Sequence, residues 1–119
     1  MPDPGRTVLI VDDEPQILQL VEKMLRPRNF RIQVAPKPSE ALRIAEAEPV
    51  HLLITDIALP EMDGHKLAEK VLKLHPEAYV LLISGHFREK PRYKSGRTRF
   101  LSKPFFPSDL LDTLRELFP

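Results

Sequence analysis

The chain of 119 residues contains no cysteine. This absence excludes a disulfide-stapled scaffold and a metal site built from thiolates. The chain also lacks a long apolar run, since no stretch approaches the roughly 18 residues of a membrane-spanning helix. Its first residues, MPDPGRT, are too polar for a secretory signal peptide. These absences favour a cytoplasmic protein.

The sequence likewise has no internal repeat, no low-complexity segment and no linker. We therefore expect one domain spanning residues 1–119, which is long enough to bury a hydrophobic core. Hydrophobic residues make up 42% of the chain and charged residues 29%, as in ordinary soluble globular proteins. The formal net charge is only +1, but basic residues are concentrated between positions 88 and 103.

Short apolar segments alternate with segments of helical periodicity along the whole chain. Strands are predicted at 7–11, 31–35, 52–56, 79–84 and 99–102, and helices beginning at Pro15, Pro38, Gly64 and near Pro107. Five such alternations predict a single α/β domain with a parallel sheet covered on both faces.

Residues 86–98 fit this alternation poorly. A helix is expected there, yet Phe87 and Tyr93 are the only large apolar residues, and Pro91 interrupts the segment. So little apolar surface cannot offset the entropy lost on ordering. We expect at most a short helix, or an irregular or disordered loop.

Acidic residues follow two of the predicted strands. Asp12 and Asp13 come directly after the first strand, and Asp56 ends the third. If these strands are neighbours in a parallel sheet, the three carboxylates meet at one edge and repel one another, so a cation or protons must compensate. Oxygen ligands that leave several positions for water suit Mg²⁺ or Mn²⁺.

The fourth and fifth strands add two further polar groups to this edge. Ser84 ends the fourth strand with a hydroxyl, and Lys103 follows the fifth with an ammonium. A metal ion and a lysine can neutralise a phosphoryl group, a hydroxyl can donate a hydrogen bond to it, and one carboxylate can act as the nucleophile. The pattern therefore predicts a site that holds a phosphoryl group.

Four motifs carry a resemblance to a known family: VLIVDDEP (8–15), LLITDIALPEMDG (52–64), LLISG (81–85) and FLSKPF (100–105). In this order they resemble the CheY-like receiver domain of response regulators in two-component signalling. The resemblance covers essentially the whole chain. It implies a flavodoxin-like (βα)5 three-layer sandwich, with a five-stranded parallel sheet in the order 2-1-3-4-5.

The resemblance also implies a phosphoacceptor and a metal site. Asp56 matches the aspartate that receives a phosphoryl group from the phosphohistidine of a sensor histidine kinase or a histidine phosphotransfer protein. Asp13 matches a direct Mg²⁺ ligand, and Asp12 matches a residue that acts mainly through water. Ala58 would offer its backbone carbonyl to the metal ion.

Other positions match the residues that respond to phosphorylation. Ser84 matches the hydroxyl residue that contacts the phosphoryl oxygens, and Lys103 matches the lysine that pairs with them. Phe100 matches the aromatic switch residue, and the Lys103–Pro104 peptide is typically cis in this family. The implied output is a changed binding surface for a downstream protein or a second copy of the chain. The domain would catalyse only its own phosphorylation and dephosphorylation.

Two features depart from the family pattern. The stretch from Ser84 to Lys103 is about one helical turn shorter than usual, which puts the usual output surface in question. Phe100 also lacks the hydroxyl of the tyrosine often found at its position, so an inward-turned ring would have no hydrogen bond to make.

Several alternatives stay open at this point. The strongest is a pseudo-receiver, a protein-binding module with the same fold that is never phosphorylated. A metal-dependent phosphatase with an aspartyl nucleophile usually needs an acid where Ala58 stands. Direct nucleic-acid binding through residues 88–99 lacks a recognition helix, and flavin binding lacks a glycine loop after the first strand.

Overall fold

Five strands form one parallel sheet in the order β2-β1-β3-β4-β5 in the computed structural model, which describes residues 5–85 and 96–117. The strands are β1 (Thr7–Val11), β2 (Arg31–Ala35), β3 (Leu52–Asp56), β4 (Tyr79–Ser84) and β5 (Thr98–Ser102). The helices in these residues are α1 (Pro15–Leu25), α2 (Pro38–Ala47), α3 (Gly64–Leu74) and α4 (Pro107–Leu117). The strand order confirms the expected flavodoxin-like arrangement.

The element boundaries follow the sequence pattern closely, with two small differences. The last strand begins at Thr98, one residue earlier than predicted. The first helix continues as a short 3-10 helix, Arg26–Arg28, which ends at Asn29 in the left-handed conformation with φ of 63°. The expectation of weak order over 86–98 falls largely on residues 86–95, which lie outside the described residues. Gly96 and Arg97 form a turn that leads into β5.

The sheet separates two hydrophobic cores, because successive side chains of a strand point to opposite faces. Leu9, Leu53 and Leu82 face one side, where they pack with buried residues of α2 and α3. Ile10 and Ile54 face the other side, where they pack with buried residues of α1 and α4. Strands β1 and β3 are buried along their whole length, as expected for the middle of a three-layer sandwich.

Helix starts are set by residues that suit a first helical turn. A proline opens α1 and another opens α2, where its missing N–H is no loss. Asp63 precedes α3 and caps it, because its carboxylate accepts a hydrogen bond from the Lys66 N–H at 2.9 Å. Within the two described ranges, no helix is both long and apolar enough to cross a membrane.

Gly64 lies where α3 begins against the end of β3. Its N–H donates to the Ile57 carbonyl at 2.8 Å. A Cβ atom at Gly64 would lie 2.2 Å from the Asp56 carbonyl oxygen, far inside van der Waals contact. The helix can approach the strand this closely only because residue 64 has no side chain, so Gly64 fixes the loop that follows Asp56.

We predict that Gly64→Ala destabilises the fold by at least about 3 kcal/mol, because backbone must move to accept the new methyl group. Gly85→Ala is the matched control, since a Cβ atom at Gly85 meets no atom within 4 Å. Urea unfolding followed by circular dichroism measures both. Equal midpoints for the two variants would contradict the steric explanation.

Candidate functional site

Four acidic side chains gather at the carboxyl ends of two adjacent strands. Asp12 follows β1 and Asp56 ends β3, and these strands pair directly. Together with Asp13 and Glu14, they offer one carboxylate oxygen each, all within 4.8 Å of one another. Asp12 and Asp56 are buried, with 1% and 5% exposure, whereas Asp13 and Glu14 are exposed. The expected convergence of Asp12, Asp13 and Asp56 is therefore present.

Backbone groups hold the two buried carboxylates in place. Asp12 Oδ1 accepts a hydrogen bond from the Glu14 N–H at 2.9 Å, and Asp56 Oδ1 accepts one from the Ala58 N–H at 3.2 Å. Each bond joins a carboxylate to the residue two positions later, so the turn that follows each strand orients the acid. The second oxygen of each carboxylate is then directed to another partner.

That partner is Lys103. Its Nζ lies 3.1 Å from Asp12 Oδ2, 3.2 Å from Asp56 Oδ2 and 3.4 Å from Glu14 Oε1. The lysine side chain is 14% exposed. The Lys103 N–H donates to the Ser84 carbonyl at 2.7 Å, and the peptide bond to Pro104 is cis, as the resemblance implied. The structure thus brings Lys103 to the acids, as the sequence predicted.

Burial and charge act in opposite senses on the pKa values here. Burial raises the pKa of Asp12 above its ordinary value of 3.8, although the Glu14 N–H and Lys103 act to lower it. For Lys103, burial lowers the pKa, but the contacts with Asp12 and Asp56 outweigh it and the net pKa is raised. The ammonium of Lys103 therefore stays charged. Its attraction for Asp12 is too weak to cancel the effect of burial, so the net pKa of Asp12 stays raised.

The structure also describes the three remaining predicted residues, Ser84, Phe100 and Ala58. Ser84 is buried at the end of β4 and pairs in register with Ser102 of β5. Phe100 is partly buried and packs against the core that includes Leu82, so it is a half-buried ring in this state. Ala58 is exposed and directs its N–H to Asp56.

Glu14 is the residue that the sequence prediction did not place in the site. It belongs to the acidic run after β1, but its exposure and its position just before α1 are typical of a solvent-facing residue. The N-cap residue of α1 is Glu14 and not its neighbour Asp13. No periodicity in the sequence distinguishes Glu14 from other exposed acids.

The donor atoms of the acidic cluster fit a magnesium ion. All four candidate ligands are carboxylates, and oxygen-only sites with room for water suit Mg²⁺. One ammonium faces four carboxylates here, and a divalent cation would neutralise further negative charge. Asp12, Asp13 and Asp56 would hold the ion.

A groove lies at the opposite edge of the sheet, away from the acids. It has a volume of about 640 Å³ and is lined by residues that precede the strands, among them His51 and Arg97. Within the described residues, the side chains that form the acidic cluster do not line it. The chemistry predicted from the sequence therefore belongs to the acidic edge and not to this groove.

We predict that Lys103→Met lowers the free energy of unfolding in metal-free buffer by roughly 3 kcal/mol, because two buried carboxylates lose their cation. Saturating Mg²⁺ should restore much of the loss by binding the folded state. The deficit should also shrink as pH falls through the raised pKa of Asp12, since a protonated Asp12 no longer needs the ammonium.

Urea titrations with and without Mg²⁺ measure these effects, and Lys70→Met, an exposed lysine on α3, is the control. A loss that is equal for both variants, or that grows on acidification, would contradict the role given to Lys103.

Comparison with known proteins assigns the chain and its fold to one family. The family model for the response regulator receiver domain matches residues 8–115. An uncharacterized 14.6 kDa protein of Leptolyngbya boryana is 35% identical over 115 residues, covering 92% of this chain and 87% of the relative. The transcriptional regulatory protein SrrA of Staphylococcus aureus is 31% identical over 92% of this chain, which spans only 46% of SrrA.

Solved structures of response regulators resemble this fold as well. The response regulator protein TrrA of Thermotoga maritima, in complex with Mg²⁺ and BeF, superposes with a TM-score of 0.81 at 26% identity. The match covers 94% of this chain and 98% of TrrA. With the family model covering most of the chain and the sheet order in agreement, this chain belongs to the response regulator receiver domain family of two-component signalling.

Proposed function

We propose that the chain, as one receiver domain over residues 1–119, is a phosphoacceptor switch in which Asp56 takes a phosphoryl group from a histidine kinase or a histidine phosphotransfer protein. The observation that carries this proposal is the contact of the Lys103 ammonium with Asp56 at 3.2 Å, inside a group of acids with oxygen ligands alone. In such a site, the ammonium and a metal ion bound by the acids could together neutralise the charge of a phosphoryl group transferred to Asp56.

In the proposed transfer, an oxygen of Asp56 forms the new bond to phosphorus while the bond from phosphorus to the imidazole nitrogen of the phosphohistidine breaks. The Ala58 N–H at 3.2 Å orients the carboxylate for attack. Hydrolysis reverses the modification, because water attacks phosphorus, releases inorganic phosphate and returns the carboxylate. The domain turns over its own phosphate and no other substrate.

A magnesium ion held by Asp12, Asp13 and Asp56, with the Ala58 carbonyl as a further ligand, would neutralise charge on the phosphoryl oxygens. The complex of TrrA with Mg²⁺ and BeF supports this part of the proposal, since TrrA has the same fold. Lys103 would supply the second cation. The chain's own contribution is to hold the two buried carboxylates by backbone N–H groups before any ligand arrives.

The proposed output begins at Ser84 and Lys103. Both lie at the strand ends next to Asp56, and both belong to strands or loops that lead into residues 86–95 and α4. A new dianionic group on Asp56 would attract the Ser84 hydroxyl and the Lys103 ammonium. Phe100 would follow Ser84, which changes the surface offered to a downstream protein or to a second copy. A cytoplasmic location stays a prediction.

We predict that incubation with acetyl phosphate and Mg²⁺ adds one phosphoryl group per chain, and that Asp56→Asn abolishes the addition because the nucleophile is lost. Intact-mass spectrometry measures the product, and hydroxylamine should remove it, as expected for an acyl phosphate. Asp112→Asn, an exposed acid on α4, is the matched control and should react like the unmodified chain. Absence of any adduct would support the pseudo-receiver alternative.

We predict further that Asp13→Asn weakens Mg²⁺ binding about tenfold or more, because an exposed direct ligand is replaced by a neutral one. The increase in melting temperature on titrating Mg²⁺ alone measures the affinity. Asp112→Asn again controls for the change in net charge. An Asp13→Asn protein that responds to Mg²⁺ like the control would place the metal ion elsewhere.

A further inference from the structure

Glu14 has no part in the roles proposed above, yet its carboxylate contacts the catalytic lysine. Its Oε1 lies 3.4 Å from Lys103 Nζ, and its side chain is 49% exposed. Glu14 is the N-cap residue of α1, but its side chain makes no capping hydrogen bond to the helix. A glutamate just before a helix start thus directs its charge to the lysine and not to the helix.

Lys103 is fully occupied by carboxylates. An ammonium has three N–H donors, and three carboxylates lie within 3.4 Å of this one: those of Asp12, Asp56 and Glu14. A phosphoryl oxygen bound to Asp56 needs a donor from the same ammonium. To bind that oxygen, Lys103 exchanges either its contact with Asp56 itself or its contact with one of the other two carboxylates.

Of the two partners that are not themselves phosphorylated, Asp12 and Glu14, Glu14 costs less to release. Its contact is the longest of the three, and its carboxylate can be solvated, since half of the side chain is exposed. Asp12 is 2% exposed by its side chain and makes the shortest contact, so its separation from the ammonium would leave a buried charge uncompensated.

We propose that Glu14 is a positioning residue that holds Lys103 in the unphosphorylated state and is exchanged for a phosphoryl oxygen when Asp56 is modified. Glu14 then opposes phosphorylation, because the exchange must break the contact between Glu14 and Lys103. This inference rests on the function proposed for Asp56. In the alternative explanation, the negative charge of the acidic cluster as a whole repels the incoming anion, and the contact between Glu14 and Lys103 has no effect.

The test uses beryllofluoride with saturating Mg²⁺ as the phosphoryl mimic, and isothermal titration measures its affinity. Glu14→Gln should bind the mimic about threefold to fivefold more tightly, the effect expected for loss of one partly exposed ion pair. Glu77→Gln changes the net charge equally at the opposite edge of the sheet and should bind like the unmodified chain.

Glu14→Asp separates the contact from the charge. Aspartate keeps the negative charge but is one methylene shorter, so it cannot span a contact that is already 3.4 Å long. If the contact restrains Lys103, Glu14→Asp binds the mimic as tightly as Glu14→Gln. If charge alone acts, Glu14→Asp binds like the unmodified chain, and that result overturns the inference.

Two other outcomes are distinguishable. Unchanged affinity in Glu14→Gln, with normal binding by the unmodified chain, refutes the role of Glu14 and leaves the function proposed for Asp56 in place. Failure of the unmodified chain to bind the mimic at all refutes the proposed function itself. A melting curve of each variant shows that the folded state is retained.

Discussion

The ammonium of Lys103 connects parts of the chain that no other described side chain brings together at this edge. It contacts Asp12, 91 residues away in sequence, and Asp56, 47 residues away. Strand β5 lies at the edge of the sheet and does not pair with β1 or β3, so the lysine reaches across β4 to the acids. Without Lys103, the two buried carboxylates and the two exposed acids beside them would repel one another with no described cation in contact with both buried groups.

The parallel sheet explains why this arrangement is possible. Strands that run in the same direction end at the same edge, so each strand can contribute one polar group to a common point. Buried apolar residues on both faces fix the strands, and backbone N–H groups then fix the carboxylates. The absence of a side chain at Gly64 lets α3 begin against the carbonyl of Asp56. The site is therefore organised by backbone contacts before any ion or phosphoryl group is present.

The sequence predicted most of this arrangement because the responsible signals are strong. Mostly apolar strands that are followed or ended by a polar residue indicate both the sheet and its functional edge, and the motifs around Asp56 and Lys103 indicate the family. Glu14 was not predicted, because an exposed acid beside a helix start has no periodic or motif signal, and its contact depends on the path of a chain segment 89 residues away. The start of β5 differed by one residue, since Thr98 carries no apolar side chain.

The central claim is that a divalent ion and the Lys103 ammonium together compensate the repulsion among the acids, and that this lets Asp56 accept an anionic phosphoryl group. A crystal structure of the chain with Mg²⁺ and beryllofluoride tests it most directly. We expect the ion to be coordinated by Asp13 and Asp56, the beryllofluoride to be bound to Asp56, and Lys103 Nζ to contact a fluoride after leaving Glu14. A structure grown under the same conditions in which Lys103 keeps its three carboxylate contacts, with neither ligand between the acids, would contradict the claim.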